Sequence, residues 1–186
     1  MLARNLGRLE EAIGFLRRAL EQDPLSPSSC NNLGLVLAGM GRFMEAESAY
    51  RKALELAPQS VATRGNLSLP LLALGRGEEA LKEALREPDE ALQLWALAII
   101  YHSLGHPRES NVALEELIEK DSENSASQIA EVYGARGEMD HAFEWLERAY
   151  EQRDGGLAEM KVSPRLRSLH GDPRWGAFLK KMGLED

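Results

Sequence analysis

Five glycines recur at nearly fixed intervals along the chain: Gly7, Gly41, Gly75, Gly105 and Gly137. Self-similarity at a fixed period marks a repeat architecture and constrains the fold more than any other feature of a sequence. Each glycine opens a related hexapeptide. The first three are Gly7-Arg8-Leu9-Glu10-Glu11-Ala12, Gly41-Arg42-Phe43-Met44-Glu45-Ala46 and Gly75-Arg76-Gly77-Glu78-Glu79-Ala80. Gly105-His106-Pro107-Arg108-Glu109-Ser110 and Gly137-Glu138-Met139-Asp140-His141-Ala142 follow. The first two intervals are 34 residues and the next two are 30 and 32, so the middle of the array has lost a few residues.

Each glycine sits between two helical patterns. Before Gly41, Leu33, Leu37 and Met40 recur three or four apart, which is one face of a helix. After it, Ala46, Ala49, Tyr50, Ala53, Leu54 and Leu56 do much the same. Glycine suits the residue just past a helix end because it takes positive φ without a Cβ penalty. Pro24 and Pro58 are placed to stop second helices. Pro88, with Asp89 and Glu90, reads as the first turn of the next helix, and Ser28 and Ser29 read as hydroxyl caps. Ala12, Ala46, Ala80, Ser110 and Ala142 each lie five residues past their glycine, where the two helices of a unit would cross closely. Ala19, Ala53 and Ala149 form a second small site, with Leu16, Tyr50, Leu114 and Leu146 as the bulky residues between. Pro70 falls inside a first helix, where a missing hydrogen bond predicts a bend and a wider channel beside Leu69.

These residues resemble the tetratricopeptide repeat family. The match is strongest over Pro27 to Pro58, with Leu33-Gly34, Leu37, Gly41, Ala46, Tyr50, Ala53 and Pro58 in the family's order. The fifth unit fits again, through Ile129-Ala130, Tyr133, Gly137, Ala142, Leu146 and Ala149. The third departs after Ala84, with Glu87 where a small residue is expected and Pro88 cutting the helix short. The resemblance covers residues 1–154, about five repeats with the first truncated, and implies an all-α, right-handed α-α superhelix. Residues 155–186 are then a C-terminal cap, one irregular piece and one helix lying over the fifth repeat, with Leu166, Leu169, Trp175, Phe178, Leu179 and Met182 as its apolar stripe. The stretch from Ile129 to Asp154, with Gly155-Gly156-Leu157 and Asp172-Pro173-Arg174-Trp175, resembles the C-terminal repeat region of bacterial regulatory proteins. There the repeats follow a winged-helix, adenylate-cyclase-like or kinase domain. That resemblance implies a regulatory or sensory half in a bacterial cytoplasm.

In the family the first helix of each unit lines a concave groove. Carried over by position, the lining residues are Asn5; Asn31, Asn32 and Leu35; Asn66 and Leu69; Trp95, Ile99 and His102; Gln128 and Glu131. Asparagine offers a donor and an acceptor to an extended peptide backbone. Leucines and Trp95 offer apolar contacts, and tryptophan is a common interface anchor. The implied function is a non-catalytic scaffold that binds a peptide or helix of another protein in this groove. These positions hold no lysine or arginine, so a partner tail rich in Asp or Glu is not expected. Alternatives are assembly through the edges of the array, or an accessory repeat domain of an enzyme such as a glycosyltransferase.

Composition narrows the rest. The formal charge of −8 over 186 residues disfavours nucleic acid. The charge is uneven, about −10 over residues 1–154 and +2 over 155–186, which reads first as a solvated basic face. The longest apolar run, Leu94 to Tyr101, is too short for a bilayer span, and no secretory leader opens the chain. Cys30 is alone, which fits a reducing compartment. His102 and His106 are separated by Gly105, and His141 follows a helix-opening Asp140. No phosphate-cradling loop or nucleophile elbow is present, so neither metal nor cofactor is expected. The N-terminal edge shows no cap over Ile13, Leu16 and Leu20, which predicts self-association there or an upstream domain that covers it.

Overall fold

The computed structural model describes residues 8–184, so Asn5 and Gly7 lie outside the described residues. Among these the chain is helical and without strands. It runs through α1 (Leu9–Gln22), α2 (Pro27–Gly39), α3 (Phe43–Leu56), α4 (Thr63–Ala73) and α5 (Gly77–Ala84). Then come α6 (Glu90–Ser103), α7 (Pro107–Asp121), α8 (Ala126–Arg136) and α9 (Met139–Gln152). Two 3-10 segments, Gly155–Val162 and Pro164–Leu169, lead into α10 (Pro173–Lys181). Helices adjacent in the chain pack on each other, and the first helices of the pairs, α2, α4, α6 and α8, also touch in series.

One turn is used four times. Gly41, Gly75, Gly105 and Gly137 have φ of 76°, 77°, 77° and 77°. At the first, the Gly41 N–H donates to the Ala38 carbonyl and the Arg42 N–H to the Leu37 carbonyl, both at 2.9 Å. This pair of bonds is the Schellman closure of a helix end. It recurs as Arg76 to Leu71, His106 to Tyr101 and Glu138 to Tyr133. The carbonyl of the residue after each glycine then accepts the first amide of the next helix, from Ala46, Ala80, Ser110 and Ala142. Those four small residues are all 0% exposed, at the crossing of the paired helices. Ser110 adds hydrogen bonds there: its hydroxyl donates to the Ala98 carbonyl at 2.5 Å and accepts from Arg136 Nη2 at 2.6 Å.

Local signals act slightly differently from the expectation at three places. Ser26, not Ser28 or Ser29, caps α2, its hydroxyl accepting the Ser29 N–H at 3.3 Å. Pro88 precedes α6 instead of entering it, because Asp89 takes the capping position and accepts the Leu92 N–H at 2.9 Å. Asp140 lies in the first turn of α9 without capping it, while the His141 ring stacks on Tyr133. Helix α4 continues through Pro70 to Ala73.

The irregular third unit has its own physical logic. Glu87 is 3% exposed and reaches back to the start of α4. Its carboxylate accepts the Ala62 N–H at 2.9 Å and the Gly65 N–H at 3.0 Å. Ala62 has a left-handed φ of 69°, a strained value for a residue with a Cβ. The carboxylate thus satisfies orphan donors of a helix that has no cap of its own. Asp154 serves α8 in the same way, accepting the Ser127 N–H at 2.8 Å from the far end of α9.

Beyond α9, the tail packs back on the array. Leu157, Met160, Leu166, Leu169, Trp175 and Phe178 share a buried cluster with Ala142, Phe143, Leu146 and Ala149. Helix α10 lies along α9: the Arg174 guanidinium stands 4.4 Å over the Phe143 ring and its Nη1 donates to Asp140 at 2.8 Å. Lys181 hydrogen-bonds Glu147. Arg165, Arg174 and Lys181 of the tail thus meet carboxylates of the chain itself, while Arg174, Lys180 and Lys181 remain on the solvated face that the sequence suggested.

Two substitutions test this account. Ala46→Leu overpacks a sealed crossing and is expected to cost roughly 2 kcal/mol in a chemical denaturation series. Glu87→Ala leaves helix-start amides unpaired inside the protein and is expected to cost about 3 kcal/mol in the same measurement.

Candidate functional site: a concave groove crossed by the C-terminal segment

The inner helices α2, α4, α6 and α8 form one concave wall, and the segment from Ser163 to Leu169 runs across it. The path is fixed residue by residue. The Ser163 hydroxyl donates to Glu131 Oε1 at 2.5 Å. Arg165 Nε lies 2.8 Å from Glu131 Oε2, and its guanidinium carbon is 4.8 Å above the centre of the Trp95 ring. The Ser168 hydroxyl donates to the Gly134 carbonyl at 2.8 Å. Arg167 Nη2 reaches the Gly39 carbonyl at the end of α2, at 3.0 Å and 128 residues away in the chain. Gly134 makes room for this strap, since a Cβ there would come within 2.9 Å of the Arg165 carbonyl oxygen. Leu166 and Leu169, 1% and 0% exposed, anchor it in the core of the fifth repeat.

The strap divides the concavity into two chambers. The larger, about 650 Å³, is bordered by Leu35, Asn66, Leu69, Pro70, Ile99 and Leu104, with Ser163, Pro164, Arg165 and Ser168 on the strap side. The smaller, about 410 Å³, is bordered by Asn31, Asn32, Leu35, Asn66, Trp95, Gln128 and Glu131, with Met160 and Arg165 facing them. Amide side chains from α2, α4 and α8 thus gather at one place. Asn31 Oδ1 is buried and accepts no hydrogen bond from any described residue. A buried acceptor in that condition is costly unless something supplies a donor.

The structure brings most of the groove residues named from sequence into these two chambers. Asn32 and Asn66, 34 residues apart, border the same one. Ile99 borders the larger chamber at 4% exposure. His102 is exposed on α6 and borders neither. Asn5 lies outside the described residues. Trp95 differs from an open anchor: it is 3% exposed, because Arg165 covers its face and its indole N–H donates to Glu131 Oε2 at 3.1 Å. The expectation of a groove without arginine is also corrected. The inner helices bring none to the two chambers, yet the strap inserts Arg165 between them and sends Arg167 to α2. Ser163, Arg165, Arg167 and Ser168 were the residues sequence reasoning missed. The only signal for them was the basic tail of an acidic chain.

Among the described residues no group of three or more His, Cys, Asp or Glu is placed to hold a metal ion. No helix among them is long and apolar enough to cross a membrane.

Comparison with known proteins bears on the fold. Residues 27–60 match the family described as tetratricopeptide repeat, and residues 1–24 match a second family of that description. No curated protein matches the chain in sequence. Among solved structures, TTC0263, a thermophilic TPR protein in Thermus thermophilus, is 22% identical, with a TM-score of 0.64 over 87% of this chain and 92% of its own. PilF of Pseudomonas aeruginosa is 21% identical, with a TM-score of 0.56 over 95% of this chain and 85% of its own. YrrB, described as a TPR protein with an unusual peptide-binding site, is 21% identical, with a TM-score of 0.52 over 84% of each chain. At such identities the likeness is one of fold. The chain carries tetratricopeptide repeats and has the fold of a tetratricopeptide solenoid, a right-handed superhelix of paired helices.

Proposed function

We propose that the chain is a non-catalytic scaffold that holds an extended peptide of another protein on its concave face, through the amide-lined chamber. The observation that carries this reading is the convergence of Asn31, Asn32, Asn66 and Gln128 on one cavity, with Asn31 Oδ1 buried and unpaired among the described residues. A peptide backbone supplies alternating N–H and C=O groups, and side-chain amides answer both. The strap is a precedent within the molecule, since it is an irregular segment already lodged against the same wall through side-chain hydrogen bonds. The peptide-binding site named for YrrB supports the same class of ligand.

In this reading residues 1–154 supply the groove, and residues 155–186 cap the array and form the strap. The resemblance of the tail to the repeat regions of bacterial regulators supports a regulatory or sensory scaffold in the cytoplasm, coupled to an effector domain. An acidic array suits partners that are proteins and not nucleic acids.

The test is a peptide array probed with the full chain, followed by calorimetry on the strongest sequences. Asn32→Ala and Asn66→Ala are each expected to weaken binding about tenfold, the loss of one or two amide hydrogen bonds. Peptides that bind both variants as tightly as the unaltered chain would exclude the amide-lined chamber as the site.

A further inference from the structure

The larger chamber is chemically different from the amide-lined one and calls for a different occupant. Its inner walls are apolar, and one charged group, Arg165, stands at its edge. The Trp95 ring lies under the guanidinium face, and Glu131 Oε2 is 2.8 Å from Nε, an ion pair in which the buried Nε–H makes no hydrogen bond to a described residue. Both Glu131 oxygens are already engaged by neutral donors, the Trp95 indole N–H and the Ser163 hydroxyl. Glu131 therefore pairs with Arg165 by charge and leaves its outer fork unengaged, while the Trp95 ring sets the plane of the guanidinium. The two terminal nitrogens donate no hydrogen bond to any described residue. The side chain is only 19% exposed, so water screens it weakly.

A planar fork, pre-oriented and with its outer edge unengaged, matches a carboxylate, which takes two parallel N–H bonds from it. The adjoining walls narrow the choice. Leu35, Leu69, Ile99 and Leu104 border a cavity of about 650 Å³, a size that suits a small molecule. Such walls favour an apolar body by removing it from water. They offer little to a sugar or nucleotide, and a bare inorganic anion would leave them unfilled. Asn66 borders the same space and adds one side-chain N–H donor.

We propose that the chamber beneath the strap binds a small carboxylic acid with an apolar chain, its charged end on the outer fork of Arg165 and its body along Leu35, Leu69 and Ile99. This goes beyond the peptide reading and does not rest on it. The strap becomes a wall of a ligand site, and Leu166 and Leu169 keep that wall in place while the ligand enters and leaves. A bound acid would touch the strap and the inner helices together, and so would tie the tail to α2 and α4.

The full chain is titrated by calorimetry with decanoate, decanol, acetate and a short peptide ending in a leucine carboxylate. Decanoate is expected to bind, decanol about tenfold or more weaker, and acetate not detectably. Arg165→Gln is expected to weaken decanoate about thirtyfold and leave decanol unchanged, as the loss of a charge-assisted pair requires. Equal affinity for decanoate and decanol, unchanged decanoate affinity in Arg165→Gln, or no decanoate binding at millimolar concentration would each overturn the proposal. So would a leucine-ended peptide that outbinds decanoate with the same dependence on Arg165, since the site would then serve peptide ends. If Arg165→Gln does not fold, the unaltered chain decides: decanoate, but not decanol, should sharpen the Arg165 side-chain N–H resonances, and signals that stay unchanged count against the site. The peptide-array result is read on Asn32 and Asn66, so either reading can fail alone.

Discussion

The left-handed glycine turn is the constraint from which the rest of the structure follows. It fixes the angle between the two helices of a pair, and the close crossing beyond it admits only alanine or serine. Because Gly41, Gly75, Gly105 and Gly137 share one φ within a degree, the pairs share one geometry, and stacked pairs of like geometry curve. A concave face made of first helices is the outcome. No residue on that face has to be special for the face to exist, which leaves the identities of Asn31, Asn66 and Gln128 free of the demands of the fold.

The regular part of this architecture was legible because it is written locally. A glycine, a small residue five positions on and a proline after the second helix each act over one turn of chain, and period alone reveals them. What was not legible acts over distance. Glu87 looks like a fault in the third repeat, because a small residue is expected there. Only the fold shows that it stands in for the missing cap of a helix that starts some 25 residues earlier. Trp95 has the same character. Its position says it faces the groove, but its burial depends on Arg165, seventy residues away. The strap itself is built of short 3-10 turns, which carry too little periodicity to announce a path.

The groove residues show both sides of this. Asn32 and Asn66 could be placed together from their 34-residue spacing. The division of the groove into an apolar and a polar chamber could not, since the partition comes from Pro164 and Arg165 and not from the inner helices. The uneven charge of the chain was the sole hint. Its meaning changes once the tail is seen on the array: Lys181 and Arg174 hold α10 to α9, and Arg165 meets Glu131. The same segment that seals the last repeat therefore also shapes the concave face.

The bond from Arg167 to the Gly39 carbonyl carries a mechanical consequence. In an open solenoid each unit feels only its neighbours, so the coil behaves as a soft spring whose ends move independently. A tether between the second unit and the tail is a chord drawn across an arc. Stretching or tightening the spring must lengthen or slacken that chord, so bending near α2 is transmitted to the strap and, through Arg165, to the chamber walls. The Arg167–Gly39 bond thus adds a long-range chord to the contacts that the strap makes with α6 and α8.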